Sequence, residues 1–129
     1  MHTTRIALPV SSPFSFITNA QFGLLLDNGR LSREHQLRDE AFDPPPVVKL
    51  VVPGSIAVWL LTEVDPDAQT TAFGLADLGC PELGSIDLVE IQEACGVPWL
   101  SIAQDASFQA TKTLGAYARE ARHAGRIVT

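Results

Sequence analysis

The sequence predicts an α+β fold, with a small antiparallel sheet packed by about three helices on one side. Two observations carry that reading. Short apolar and β-branched runs, separated by turn signals, fill the middle of the chain from Val47 to Ile86. Helix-start spacings precede apolar stripes near both ends, giving the order helix, strands, helix, helix.

The elements follow in order. Residues Met1 to Phe16 carry Pro9, Pro13 and several serines and threonines, so an extended, loosely attached N-terminal arm is expected over residues 1–17. A single α+β domain is expected over residues 18–129. Thr18 precedes Gln21 by three, the spacing of a capping box in which each side chain satisfies an orphan N–H of a helix start. Phe22, Leu25 and Leu26 then recur at helical spacing, and Asn28-Gly29 reads as a helix end, so a first helix is expected over about Asn19 to Asn28. Arg30 to Asp43 is polar and leads into Pro44-Pro45-Pro46, which predicts a linker with at most one helical turn.

Val47 to Val52 and Ile56 to Val64 flank Pro53-Gly54-Ser55 and predict a hairpin. After the turn Asp65-Pro66-Asp67, a third strand is expected over Thr71 to Leu78, with Gly74 marking a bulge or a close backbone approach. Leu83 to Ile86 reads as a short fourth strand. Asp87 and Glu90 open a second short helix that Gly96 closes, and Trp99 to Ile102 reads as a further strand. The last helix is the clearest element. Thr113 caps it, Leu114, Tyr117, Ala118 and Ala121 form its stripe, Arg119, Arg122 and His123 suit its dipole, and Gly125 ends it.

Composition bounds the function. The 129 residues include nine basic and fifteen acidic side chains, for a net charge of -6. A chain of this length buries roughly two-thirds of its unfolded surface and folds without metal or disulfide staples. Its negative charge argues against nucleic acid as direct ligand, because broad phosphate binding needs a basic face. No apolar run approaches the length of a membrane span, and the first residues do not read as a signal peptide. Cys80 and Cys95 are too far apart in sequence for a Cys-x-x-Cys pair, and His2, His35 and His123 fall in separate regions. A reduced, cytoplasmic protein without cofactor or metal is the expectation.

The charges are unevenly placed. Leu50 to Asp105 holds no Lys or Arg, yet carries Glu63, Asp65, Asp67, Asp77, Glu82, Asp87, Glu90, Glu93 and Asp105. Such a segment gives a negative surface field unless the fold lays bases over it, and such a field favours a basic partner. The competing expectation is that the final helix, with Lys112, Arg119, Arg122 and Arg126, neutralises it.

Catalytic patterns are sparse. No phosphate-binding Gly-Lys loop, Gly-x-Ser-x-Gly elbow or His-Glu-x-x-His pair occurs. Strand alternation puts Trp59, Leu61 and Glu63 on one face and Phe73, Leu75 and Asp77 on one face of the next strand. If the register joins those faces, Glu63 and Asp77 could hold a divalent ion or act as acid and base. Turn chemistry is the plainer explanation of these acids. Cys80 and Cys95 read as small hydrophobes rather than nucleophiles, and Trp59 and Trp99 as core or rim aromatics.

Six strings, in this order and spacing, resemble the bacterial domain-of-unknown-function family 2958. They are Leu24 to Arg30, Pro46 to Leu50, Trp59 to Pro66, Ala72 to Gly79, Pro81 to Gly84, and Lys112 to Leu114 continuing through Tyr117-Ala118 to Ala124–Ile127. The similarity spans about Thr18 to Ile127; the N-terminal arm and the loop around Cys80 depart from it. The resemblance implies no established activity. It implies a setting on plasmids, integrative elements and phage-like islands, often near anti-restriction genes.

The first expectation is therefore a non-enzymatic binding module of a mobile genetic element. Its surface, Glu63, Asp65, Asp67, Asp77 and Glu82, would meet a basic groove on a host or element protein, as an inhibitor of anti-CRISPR or anti-restriction type. The alternative is a small metal-dependent hydrolase or nucleotide-processing enzyme using Glu63 and Asp77. A homodimer through the apolar hairpin residues Val48, Leu50 and Val58 is a third expectation.

Overall fold

The computed structural model describes residues 10–94 and 101–129. The order of elements is α1 (Asn19–Leu37), β1 (Val48–Val51), β2 (Val58–Asp65), β3 (Ala68–Asp77), β4 (Pro81–Asp87), α2 (Leu88–Ala94), β5 (Ala103–Gln104) and α3 (Leu114–Ala124). The five strands form one antiparallel sheet in the order β4-β3-β2-β1-β5. The expected α+β class holds.

The helices do not share one side of the sheet. Leu61 packs with Phe22, Leu25 and Leu26 of α1, whereas its neighbour Leu60 packs with Leu114, Tyr117, Ala118 and Ala121 of α3. Successive side chains of a strand point to opposite faces, so α1 and α3 cover opposite faces. The continuous run Trp59-Leu60-Leu61 is the sequence trace of this arrangement, because a strand buried on both faces has no polar alternation.

The first helix is nine residues longer than the sequence reading placed it, and Asn28-Gly29 does not end it. Strand β1 reaches only Leu61 of β2, leaving the last residues of β2 without a strand on that side. Helix α1 packs there instead. Asn28 Nδ2 donates to the Thr62 carbonyl at 2.9 Å, and a Cβ on Gly29 would sit 2.0 Å from the Val64 carbonyl oxygen. Glycine is required at this position for close approach, not for a turn. Gly74 serves the same purpose inside the sheet, where a Cβ would meet the Leu60 carbonyl oxygen at 2.0 Å.

The core also begins earlier than residue 18. Phe14, Phe16 and Ile17 are buried with the α1 residues, and the Phe16 carbonyl accepts from Gln104 Nε2 at 3.1 Å. The Thr18–Gln21 capping box forms, and the Gln21 amide pairs with that of Gln104, tying the start of α1 to β5. Strand β5 lies just after the expected Trp99 to Ile102; residues 1–9 and 95–100, with Cys95, Gly96 and Trp99, lie outside the described residues. Asp87 caps α2 through the Val89 and Glu90 N–H groups. Thr113 caps α3, where the Asp43 carboxylate also accepts from Gly115 N–H, and Gly125 ends it at φ 79°. Val48 and Leu50, read as part of a dimer face, are inside the core of the single chain.

Candidate functional site

A groove of about 360 Å³ opens where the second half of α1 passes the β2–β3 hairpin. From α1 it is lined by Gly29, Ser32, Arg33 and Gln36, positions i, i+3, i+4 and i+7 of one helical face. Phe42 closes one wall. The sheet contributes Glu63, Asp65, Thr71, Phe73 and Ser85. A register shift between Leu61 and Glu63 sets Glu63 opposite Phe73, and Phe73 pairs in turn with Ser85, so these three form one row across β2, β3 and β4. The bulge re-aims Glu63 out of the alternation that the sequence implies.

Glu63 is half-buried, and burial pushes its carboxyl up from the ordinary 4.5. A hydrogen bond from the Ser32 hydroxyl opposes that rise, and the Asp65 charge adds to it. Among the described residues Arg33 is the only base lining the groove. It donates to Asp65 at 2.9 Å and to Asp67 at 2.8 Å, and Asp65 also accepts from the Asp67 N–H. Asp65 and Asp67 are thus paired with Arg33, and Asp67 is the more exposed of the two.

The five predicted site residues do not make one surface. Asp77 pairs with Val58, four residues along β3 from the Glu63 partner Phe73, about 13 Å at the usual strand rise. Asp77 is 5% exposed, and its carboxylate accepts from Ile127 N–H at 3.0 Å and Gly79 N–H at 2.9 Å, clamping the C-terminal segment onto the sheet. Glu82 is exposed on β4 opposite Ala76, at that same end. The register therefore groups Glu63, Asp65 and Asp67 and separates them from Asp77 and Glu82. Among the described residues, no group of three or more His, Cys, Asp and Glu is placed to hold a metal ion.

The expected neutralisation by the final helix takes a different form. Arg33 of α1 meets the hairpin acids, Lys49 meets Asp105 at 3.2 Å, and Lys112 pairs with Glu120 of α3 itself. The Lys49 and Lys112 pairs line a second groove of about 350 Å³ with Tyr117 and Thr129. There the Ser107 hydroxyl, and then Lys49, hold the Asp105 carboxyl below its usual range.

Sequence reasoning missed Ser32, Arg33, Gln36 and Phe42. The signal was present: Gly29, Ser32, Arg33 and Gln36 keep the helical period past Asn28-Gly29. A matching family model covers residues 16–128. The chain belongs to the DUF2958 family. Proteins of this family are described as of unknown function. No curated protein and no solved structure matches this DUF2958 chain. Among the described residues no helix is long and apolar enough to cross a membrane.

Proposed function

We propose that this DUF2958 protein is a non-enzymatic binding module that meets a basic protein surface through the hairpin end of its sheet. The observation that carries the reading is the convergence of Glu63 and Asp65 in one open groove, with Asp67 beside it on the same hairpin and Arg33 as the only base among the described residues that line it. The net charge of -6 and the absence of Lys and Arg from Leu50 to Asp105 support it. In the setting that the family resemblance implies, the partner is a host defence nuclease or its nucleic-acid-guided complex, and the protein is its inhibitor. Asp77 is assigned to the fold, and Glu82 to a second, separate acidic position.

The test is capture of partners by the tagged full chain from a bacterial lysate, washed at low and then high salt, with mass spectrometry of the eluate. A basic nuclease or complex subunit released by salt, and lost with Asp67→Lys but kept with Glu82→Lys, supports the reading. Equal capture by wild type and Asp67→Lys removes the hairpin end as the interface. The metal-dependent enzyme built on Glu63 and Asp77 has less support, because the register holds those carboxyls apart. Thermal stabilisation by magnesium, manganese or calcium that is lost with Glu63→Gln would restore it.

A further inference from the structure

The proposed interface leaves open what chemical group the groove accepts. Each of the other hairpin acids has its cation: Arg33 bridges Asp65 and Asp67. Glu63 has none. The group that offsets its burial is the Ser32 hydroxyl, and the residue set opposite it, Phe73, is an aromatic with 37% of its surface exposed. A carboxyl beside an exposed ring, in a groove with open volume and the hydroxyl-bearing residues Ser32, Thr71 and Ser85 around it, is complementary to a planar cation. A guanidinium lays its face on an aromatic ring while its edge donates two parallel hydrogen bonds to a carboxylate. An ammonium offers a point charge and no plane.

We infer that the groove between α1 and the β2–β3 hairpin is a pocket for one arginine side chain of the partner, with its guanidinium between Phe73 and the Glu63 carboxylate. The inference rests on the reading of the hairpin end as a protein interface and narrows that interface to a single anchoring contact. Arg is enriched among the residues that dominate binding energy at interfaces, and a partly desolvated acid is the counterpart it needs. Burial of Glu63 works in the same direction, since a bound cation offsets the cost of keeping its carboxylate ionised away from water. Ser32 and Asp65 are the groups on facing elements that share this balance, and Arg33, also in the lining, is held by its two aspartates.

The experiment is a nuclear magnetic resonance titration of the isotope-labelled full chain with N-acetyl-arginine amide, its lysine counterpart and its citrulline counterpart. Citrulline keeps the shape of arginine and removes the charge. The expected result is saturable shifts at Ser32, Glu63, Thr71, Phe73 and Ser85 with arginine, weaker ones with lysine and none there with citrulline. Glu63→Gln should weaken arginine binding about tenfold or more, the value of a charge-assisted hydrogen bond pair. Phe73→Leu should weaken it about threefold, the value of an exposed cation–π contact. Binding should also weaken on acidification as Glu63 takes up its proton.

Absence of shifts at the groove, or arginine binding unchanged in Glu63→Gln, overturns the inference. Equal binding of lysine and arginine overturns the guanidinium assignment. Failure here is distinguishable from failure of the broader reading, because salt-released capture that survives Glu63→Gln but not Asp67→Lys leaves the acidic interface standing without its arginine pocket.

Discussion

The two ends of the central sheet carry acids of similar density and use them in opposite ways. At the turn between β3 and β4, Asp77 is buried and answered by two backbone N–H groups, one of them 50 residues away at Ile127. At the turn between β2 and β3, part-exposed Asp65 and exposed Asp67 are answered by one part-exposed arginine, while among the described residues no cation pairs with half-buried Glu63. A carboxylate fixed by amides that cannot leave is part of the architecture. A carboxylate answered by an exposed side chain, or by none, is available to a partner. The number of acids in a segment does not separate these cases; the donors that meet them do.

The largest expected effect breaks the turn end. Asp77→Ala leaves the Ile127 and Gly79 N–H groups without their acceptor and frees the segment that carries Ile127 into the α3 core. A loss of about 2–4 kcal/mol in unfolding free energy is expected by urea titration. A loss no larger than that of an exposed acid on β4, such as Glu82→Ala, would show that the clamp contributes nothing and erase the contrast.

Next in size is the close approach of α1 that forms the groove. Gly29→Ala puts a methyl group 2.0 Å from the Val64 carbonyl oxygen, so helix or strand must move, at a cost of about 1–3 kcal/mol. Gly23→Ala, in the same helix with nothing within 4 Å of the added carbon, should instead stabilise by up to about 1 kcal/mol. Opposite signs in thermal melts of the two variants are the expected outcome. Equal signs would mean that helix propensity, not packing against β2, decides at Gly29.

How much was legible in the sequence follows from the range over which each feature is determined. The Thr18–Gln21 box, the Thr113 cap, the Gly125 terminus and the β1–β2 hairpin depend on neighbours within a few residues, and they form as local chemistry dictates. Asn28-Gly29 misleads because its meaning lies 34 residues away, in the Thr62 carbonyl and the backbone beside it. The division of helices between two faces was written in Trp59-Leu60-Leu61, a run too short to separate two-sided burial from a strong one-sided strand. The separation of Glu63 from Asp77 comes from the hairpin register that sets Asp77 opposite Val58 and Glu63 opposite Phe73, and strand alternation alone carries no mark of that register. Site residues on strand ends could therefore be named from sequence, while their grouping could not.

A smaller effect sharpens the other side of the comparison. Arg33→Ala removes two exposed ion pairs and should cost about 1 kcal/mol or less. Its consequence for binding should be larger than for folding, because Asp65 and Asp67 lose their internal cation and the hairpin end becomes more negative. Tighter, more salt-sensitive binding of a basic peptide to Arg33→Ala than to wild type is expected by calorimetry. Weaker binding would place Arg33 itself in the contact.

The smallest expected effect concerns Glu63 and has a sign that separates two accounts of it. Below about 4.5 its carboxyl is neutral in both folded and unfolded chains, so wild type and Glu63→Gln should respond to pH alike. Above that value the unfolded chain ionises first, because burial raises the folded carboxyl, and wild-type stability falls as pH rises through the interval. Once pH exceeds the raised folded value the fall stops. Glu63→Gln has no such group, so its stability relative to wild type should climb with pH across that window and then level, by an amount that solvent at this half-exposed site keeps small. Urea titrations of both proteins from pH 4 to pH 8 measure the difference. A relative stability that drops with rising pH would mean that the folded protein favours the ionised carboxylate, with Arg33 as its cation, and Glu63 would then belong with Asp65 and Asp67 rather than stand ready for a partner's charge.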